Sequence, residues 1–294
     1  MYLLKKQALI ITAYHNEDML EKNLRSFSKY FKCYVHIDAK SSLNNSNFLS
    51  KLNGIDDVYA ISKYKINWGS YLHMMAVVDL LKEAYKDSDI IRFHIISGED
   101  FPIKSFEEFY NFFEKDNLDK NFIELTDIRN MPIMKLRYEK FHFLHLLNRK
   151  STNRGLILFD KIVRQFQYHI PFKRLIKFDY KGLMWCSITK EAVKVIFEYL
   201  TPKMIKSLKY CEIAEEFFIQ NSLMESDLFR TVVPRSLRYT NWNGCLTGPQ
   251  VLTIDKLEEI NNSNDFFARK IKLDENDKCV NDLYIALKQK WDKQ

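Results

Sequence analysis

The run Ile90-Ile91-Arg92-Phe93-His94-Ile95-Ile96-Ser97-Gly98-Glu99-Asp100-Phe101-Pro102-Ile103-Lys104 decides how this chain is read. From Ile90 to Ile96 it is apolar except at Arg92 and His94, which reads as a buried strand, and Ser97 to Asp100 then turn abruptly polar. The residues before it alternate in the same way. Ala8 to Tyr14 is a buried strand, Glu17 to Lys29 an amphipathic helix, Cys33 to Asp38 a second strand and Val58 to Ile61 a short third one. A helix follows from Tyr71 to Tyr85, where Val77, Val78, Leu80, Leu81 and Ala84 recur at helical spacing. Strands separated by such helices imply right-handed crossovers and a largely parallel sheet covered on both faces. Ligands of such sheets bind beyond the carboxyl ends of the strands. That rule selects Tyr14-His15-Asn16, Asp38-Ala39-Lys40 and Ser97-Gly98-Glu99-Asp100, all polar.

The second half is more helical. Its expected helices are Met134 to Leu147, Leu156 to Gln167, Lys190 to Leu200 and Cys211 to Met224, with short strands near Trp185 to Thr189 and Thr231 to Tyr239. Seven glycines and six prolines, with no repeat or low-complexity tract, leave no obvious linker, so a single domain is expected.

With 294 residues, 46% hydrophobic and 14% aromatic, the chain can bury a sizeable core, and disorder is excluded. No apolar run approaches the ~20 residues that cross a bilayer, and Met1 to Lys6 does not read as a signal peptide. A cytoplasmic location, or a peripheral one on the inner face of the cell membrane, is the expectation. Cys33, Cys186, Cys211, Cys245 and Cys279 are odd in number and lack C-x-x-C spacing, against a disulfide framework and against a zinc site. The formal charge of +7 admits a phosphate-bearing ligand, an anionic membrane or nucleic acid.

Five segments, in order, resemble the Core-2/I-branching glycosyltransferase family (family 14), which includes N-acetylglucosaminyl and protein xylosyl transferases. Phe93 to Lys104 is similar to its LLSG-D-PL signature, Val35-His36-Ile37-Asp38-Ala39-Lys40 to its HIDxKS strand end, and Trp68-Gly69-Ser70 to the segment before its long helix. Glu215-Glu216-Phe217-Phe218-Ile219-Gln220 is similar to DExFFQT, and Phe267-Ala268-Arg269-Lys270 to FARKF. The resemblance implies an α/β, GT-A-like single domain with a mostly parallel central sheet flanked by helices. Residues 1–120 would be a Rossmann-like half that binds a UDP-sugar, and 121–294 the acceptor and catalytic half. The implied reaction is inverting, metal-independent sugar transfer from a UDP-sugar to a glycan or lipid-linked glycan acceptor, in bacterial surface polysaccharide synthesis, with no cofactor and no nucleic acid.

Residue by residue, Glu216 takes the place of the family's catalytic glutamate. An inverting transferase needs one carboxylate to remove the acceptor proton as that oxygen attacks the anomeric carbon. Adjacent carboxylates leave a helix in different directions, so only one of Glu215 and Glu216 can serve; the bland alternative is a pair of acidic residues favouring a helix N-terminus. Without a metal, fixed cations must meet the charge that gathers on the leaving diphosphate. The resemblance supplies Arg269 and Lys270, which would otherwise be ordinary solvent-facing residues. A second basic residue expected upstream is missing from Thr247-Gly248-Pro249-Gln250. His15, Asp38, Trp68 and Asp100 fall on the donor side, where Asp38 can accept from ribose or uracil and Trp68 either lines the nucleotide or anchors the next helix. Glu124, Arg129, Lys135, Arg137, Tyr239 and Trp242 fall on the acceptor side.

Asp87-Ser88-Asp89 has the spacing of a diphosphate-bound cation site, but it precedes its strand and so reads as a solvated turn. A metal-dependent transferase using Asp87 and Asp89 remains the rival enzyme reading, and a sugar-nucleotide binder without catalysis or a nucleic-acid-binding protein are the others. From Arg129 to Lys177 there are twelve Lys or Arg against two acidic residues, interleaved with Phe141, Phe143, Phe159, Phe166, Tyr168 and Phe172. That stretch fits peripheral contact with anionic lipid. It fits equally an ordinary solvated helix face whose aromatics are core.

Overall fold

Side-chain alternation assigns the faces of the central sheet. In strand β1 (Gln7–Ala13), Leu9, Ile11 and Ala13 enter one apolar core and Ala8 and Ile10 the other, as the two-residue period of a strand requires. The computed structural model describes residues 5–148, 154–170, 174–243, 248–274 and 276–294. After β1 come α1 (Glu17–Phe27), β2 (Lys32–Ile37), α2 (Ser46–Asn53), β3 (Val58–Ile61), α3 (Tyr71–Tyr85), β4 (Arg92–Ser97), β5 (Asp100–Pro102) and α4 (Phe106–Asn111). Next are β6 (Asn121–Phe122), β7 (Thr126–Asp127), α5 (Pro132–Glu139), α6 (Arg154–His169), β8 (Tyr180–Lys181), β9 (Cys186–Thr189), α7 (Lys190–Tyr199) and α8 (Pro202–Leu208). The chain ends with α9 (Phe218–Met224), β10 (Val232–Val233), β11 (Arg238–Thr240), α10 (Leu257–Asn262), β12 (Phe267–Arg269) and α11 (Lys278–Asp292). Side-chain caps set several helix starts: Asn45 accepts from Phe48 N–H, Ser105 and Glu108 form a reciprocal box, and Thr189 accepts from Ala192 N–H.

The central sheet has the order β10-β6-β9-β4-β1-β2-β3, with β4, β1, β2 and β3 mutually parallel and β9 antiparallel to both β4 and β6. This is the mixed α/β, mostly parallel architecture expected. It takes strands from both sides of residue 120. Helices α1, α2, α4 and α11 pack on one face, and α3, α7 and α9 on the other. The two polar residues that interrupt β4 both face α4. His94 is held between Gln7 Oε1 (2.9 Å) and Ser187 Oγ (2.8 Å), and burial keeps its imidazole far below the usual histidine range. Arg92 lies over the Phe113 ring and donates to the carbonyls of Asn117, Leu118 and Lys120. Both imidazole nitrogens of His94 and both terminal nitrogens of Arg92 are thus paired, which offsets most of the cost of burying them, while Arg92 Nε has no partner.

Strand order reverses at β1, whose neighbours β4 and β2 lead away on opposite sides, and such a switch point opens a crevice at the carboxyl ends. A small second sheet, β11-β12-β5, closes over that edge. The buried Arg238 bolts it down through the carbonyls of Ile95 (3.1 Å) and Cys186 (2.5 Å) and through Ser187 Oγ (2.8 Å).

Three expected elements differ. The helix from Met134 stops at Glu139, because Lys140 is extended (ψ 160°). The strand near Thr231 to Tyr239 is two strands, split at Pro234, which has no N–H for a ladder. The expected helix Cys211 to Met224 begins instead with a 3-10 turn, Ala214–Glu216, after Ile213 in the left-handed region (φ 51°). Ile213 N–H reaches Gly69 O (2.8 Å), so the turn is pulled onto the start of α3. Gly69 itself has φ 73°, and a Cβ there would meet Ile213 Cγ2 at 3.1 Å.

Candidate active site

At the carboxyl ends of β1 and β4, charges are paired in a fixed order. Asp100 is fully buried, accepting from Ser97 N–H (3.0 Å), Ser97 hydroxyl (2.8 Å) and Arg269 Nη1 (2.7 Å). Arg269, on β12 directly opposite Asp100, also donates to Ser97 Oγ (2.7 Å) and lies 4.3 Å from the Trp185 ring centroid. The sequence reading put Asp100 on the donor side; in the structure both its oxygens are instead taken by Ser97 and Arg269, so that it holds Arg269 and the Ser97 turn. The neighbouring Glu99 points elsewhere. His15 Nε2 is 2.9 Å from its Oε1 and Lys270 Nζ 3.8 Å from its Oε2. Burial pushes the Glu99 carboxyl up, but His15, Lys270 and Arg269 outweigh it and hold it below the usual range. The exposed Tyr14 ring stacks on His15, centroids 4.2 Å apart. His15 and Lys270 are each partly open to solvent, so a phosphate at this edge can reach both side chains.

The 3-10 turn supplies the second half. Glu216 Oε2 lies 3.2 Å from Lys181 Nζ and 3.9 Å from Arg137 Nη1. Burial raises its carboxyl above the usual range, and Lys181 pulls against that shift while Glu215 adds to it. A partly desolvated carboxylate poised above its ordinary pKa suits a general base. Glu215, a third of a turn away, faces His73 Nδ1 at 3.8 Å instead. His73 Nε2 is 3.1 Å from Thr12 Oγ1 at the end of β1, and its ring meets Trp185 edge-on at 5.8 Å. An unbroken series of contacts thus runs from Glu216 through Glu215, His73 and Trp185 to Arg269. Gly182 fastens the turn, donating from its N–H to Glu216 O (3.0 Å), and a Cβ on it would fall 2.0 Å from Glu124 O. Gln220 reinforces the same corner by donating to Glu124 O (3.3 Å) and Leu183 O (3.1 Å).

Beyond β2, Asp38 Oδ1 accepts from Lys40 N–H (2.9 Å) and Ile66 N–H (3.1 Å), and Lys40 Nζ donates to Asn67 Oδ1 (2.9 Å). Asp38 thereby shapes the loop that presents Trp68. Trp68 is 48% exposed, which sets aside the buried-anchor alternative and leaves a flat apolar surface at the rim. Asp87 and Asp89 sit at the other end of β4, where Asp87 pairs with Lys32 and accepts from Asp89 N–H (2.9 Å) in a local turn. Among the described residues, no group of three or more His, Cys, Asp or Glu side chains is arranged to hold a metal ion.

The expected acceptor-side residues separate. Arg137 and the main chain of Glu124 adjoin Glu216 and its turn. Lys135, two residues from Arg137 on α5, points to a different side of that helix. Arg129 pairs with Asp127, which lies opposite Tyr180 in the β7–β8 ribbon, whereas Lys181 lies opposite Thr126. Alternation then puts Arg129's partner and Lys181 on opposite faces, so the structure does not bring Arg129 to Glu216. Tyr239 is likewise displaced: it pairs in register with Ala268, on the face away from Arg269, and donates its hydroxyl to Glu259 (2.6 Å). Thr240, the register partner of Arg269, is on the cleft face, and Trp242 Nε1 donates to it (3.1 Å) while its ring stays exposed.

Four groups that the sequence reading left out belong to the cluster: Glu99, His73, Lys181 and Trp185. Glu99 alone had a signal, since it sits in the selected post-strand tetrad. Of the cysteines, Cys33, Cys186 and Cys211 are buried thiols and Cys279 an exposed one, and Cys245 and Thr247 lie outside the described residues.

The family model for the Core-2/I-branching enzyme matches residues 8–263. No match is found among curated proteins. Among solved structures, S. aureus TarS 1-349 is similar with TM-score 0.38 and 11% identity, over 77% of this chain and 57% of that one. The chain thus spans little more than half of TarS 1-349. A 4-diphosphocytidyl-2C-methyl-D-erythritol synthase from Anaerococcus prevotii is similar with TM-score 0.36 and 15% identity, over 78% of this chain and 87% of that one.

Proposed function

We propose that this chain, which belongs to the Core-2/I-branching enzyme family of glycosyltransferases, transfers a sugar from a UDP-sugar to a glycan acceptor with inversion and without a metal. The observation that carries the reading is the continuous contact series linking the raised carboxyl of Glu216 to the cations beside β12. Glu216 takes the proton from the acceptor hydroxyl, that oxygen bonds to the anomeric carbon, and the bond to UDP breaks on the opposite face. An α-linked donor thus gives a β-linked product. Lys270 and His15, with Arg269 behind them, meet the charge that develops on the diphosphate. Support for doing so without a metal comes from the carboxylates at this edge, Glu99 and Asp100, which are already matched by His15, Lys270 and Arg269. Trp68 offers a face for the uracil and Trp242 one for the acceptor sugar. Residues 1–120 form the donor half of a single domain in this reading. Arg137 and Lys181 orient Glu216 and oppose the upward push of burial on its carboxyl.

The test is UDP release from a panel of UDP-sugars, each with and without EDTA. Release from one donor that EDTA leaves unchanged is the expected result. Release abolished by EDTA and restored by a divalent ion would overturn the metal-free mechanism.

A further inference from the structure

The outer face of α6 (Arg154–His169) has no counterpart in the site just described. The helix is tied to the body near its C-terminal end. Gln167 Oε1 accepts from Phe141 N–H (2.7 Å), its Nε2 donates to Phe141 O (2.9 Å), and Lys140 Nζ donates to the carbonyls of Gln167 (2.8 Å) and Ile170 (3.2 Å). At about 100° per residue, Leu158, Phe159, Ile162 and Phe166 form a stripe well away from Gln167. All four are exposed, Phe166 at 66%. A helix in a globular protein normally turns such a stripe into the core. Exposed apolar residues continue on the chain to either side, at Leu146 and Leu175.

We infer that α6 lays this stripe into the headgroup region of an anionic lipid surface, so that the protein works docked on a membrane. Arg154 and Lys161, exposed along the stripe, match anionic headgroups in sign; they belong to the basic stretch Arg129 to Lys177, in which Arg129, Arg137, Lys140, Arg174 and Lys177 are engaged within the protein. Two other occupants fit less well. Nucleic acid would use the charge but leave Leu158 and Ile162 in water. A second copy across a two-fold axis would set the same basic stretch against itself. The aromatics of this stretch divide accordingly: Phe178 is core, whereas Phe159, Phe166 and Tyr168 face outward, and Phe172 lies outside the described residues. The tether through Lys140 and Phe141 continues from α5, whose Arg137 lies 3.9 Å from Glu216, so α6 is joined to the Glu216 end of the cleft. An acceptor carried on a lipid would meet it there, a consequence that rests on the transfer reaction proposed above. The docking itself does not.

The experiment is flotation of the full chain with vesicles. Phosphatidylcholine vesicles carrying about 30 mol % phosphatidylglycerol should carry the protein with them, and pure phosphatidylcholine vesicles should carry much less. Added salt should weaken the binding. The double substitution I162D/F166D changes only exposed positions. It should lower vesicle binding about tenfold or more with the unfolding midpoint unchanged. The inference is overturned if anionic vesicles carry no protein, if I162D/F166D floats as well as the parent, or if the substitution instead dissolves a dimer and leaves vesicle binding intact. UDP release in solution, measured on the same variant, separates a failure of docking from a failure of the proposed reaction.

Discussion

Glu216→Gln is expected to lower kcat by about two to four orders of magnitude, the usual contribution of a positioned general base. The amide keeps the shape of the side chain and its place beside Lys181 and Arg137, so stability and UDP affinity should change little. Glu215→Gln should cost far less, because that carboxyl faces His73. The pH profile of the parent carries the same information. A base works only when ionised, so activity is lost as pH falls through the pKa of Glu216, and because burial raises that pKa the acid limb should lie above the ordinary glutamate range. Lys181→Met removes the cation that pulls the carboxyl down, and it should move that limb to higher pH still. An acid limb unmoved by Lys181→Met would detach Glu216 from the rate-limiting proton transfer.

The second large effect is on stability. Asp100→Asn leaves the Arg269 guanidinium, with its side chain only 9% exposed, facing an uncharged amide. Breaking a buried pair in this way costs about 3–5 kcal/mol. For a chain of this size the unfolding midpoint should drop by roughly 5–15 °C. Removing an exposed pair such as Lys86–Glu83 should move the midpoint far less, since water screens it. A midpoint shift for Asp100→Asn no larger than for that surface pair would mean that Arg269 is not held by Asp100.

How far the sequence was legible follows from where the information sits. Strand β3 and helix α3 have the bounds that residue periodicity alone assigns, and β1 and β2 differ by a residue at each end, because these elements bury whole faces locally. The crevice was legible for the same reason, since strand order and the polar residues after β1, β2 and β4 locate it. The turn carrying Glu216 was not. Cys211 to Met224 has an unbroken helical pattern, and what breaks it is a hydrogen bond from Ile213 to Gly69, remote in sequence. The faces of short strands were equally hidden. Tyr239 stands opposite Ala268 just after Leu237 in the left-handed region, and one residue of register decides whether it meets Arg269 or Glu259. Asp100 was found through its motif, yet only its burial, against the partly open side chain of Lys270, shows that it is held inside the protein.

The most direct measurement of the central claim is calorimetric titration of UDP, in EDTA, into the parent, Lys270→Met and Glu216→Gln. The account predicts binding without a metal. It also predicts affinity about tenfold weaker for Lys270→Met, which loses a charge-assisted contact, and unchanged for Glu216→Gln, which acts on the acceptor. UDP binding that needs a divalent ion, or that survives Lys270→Met while failing with Glu216→Gln, would contradict it.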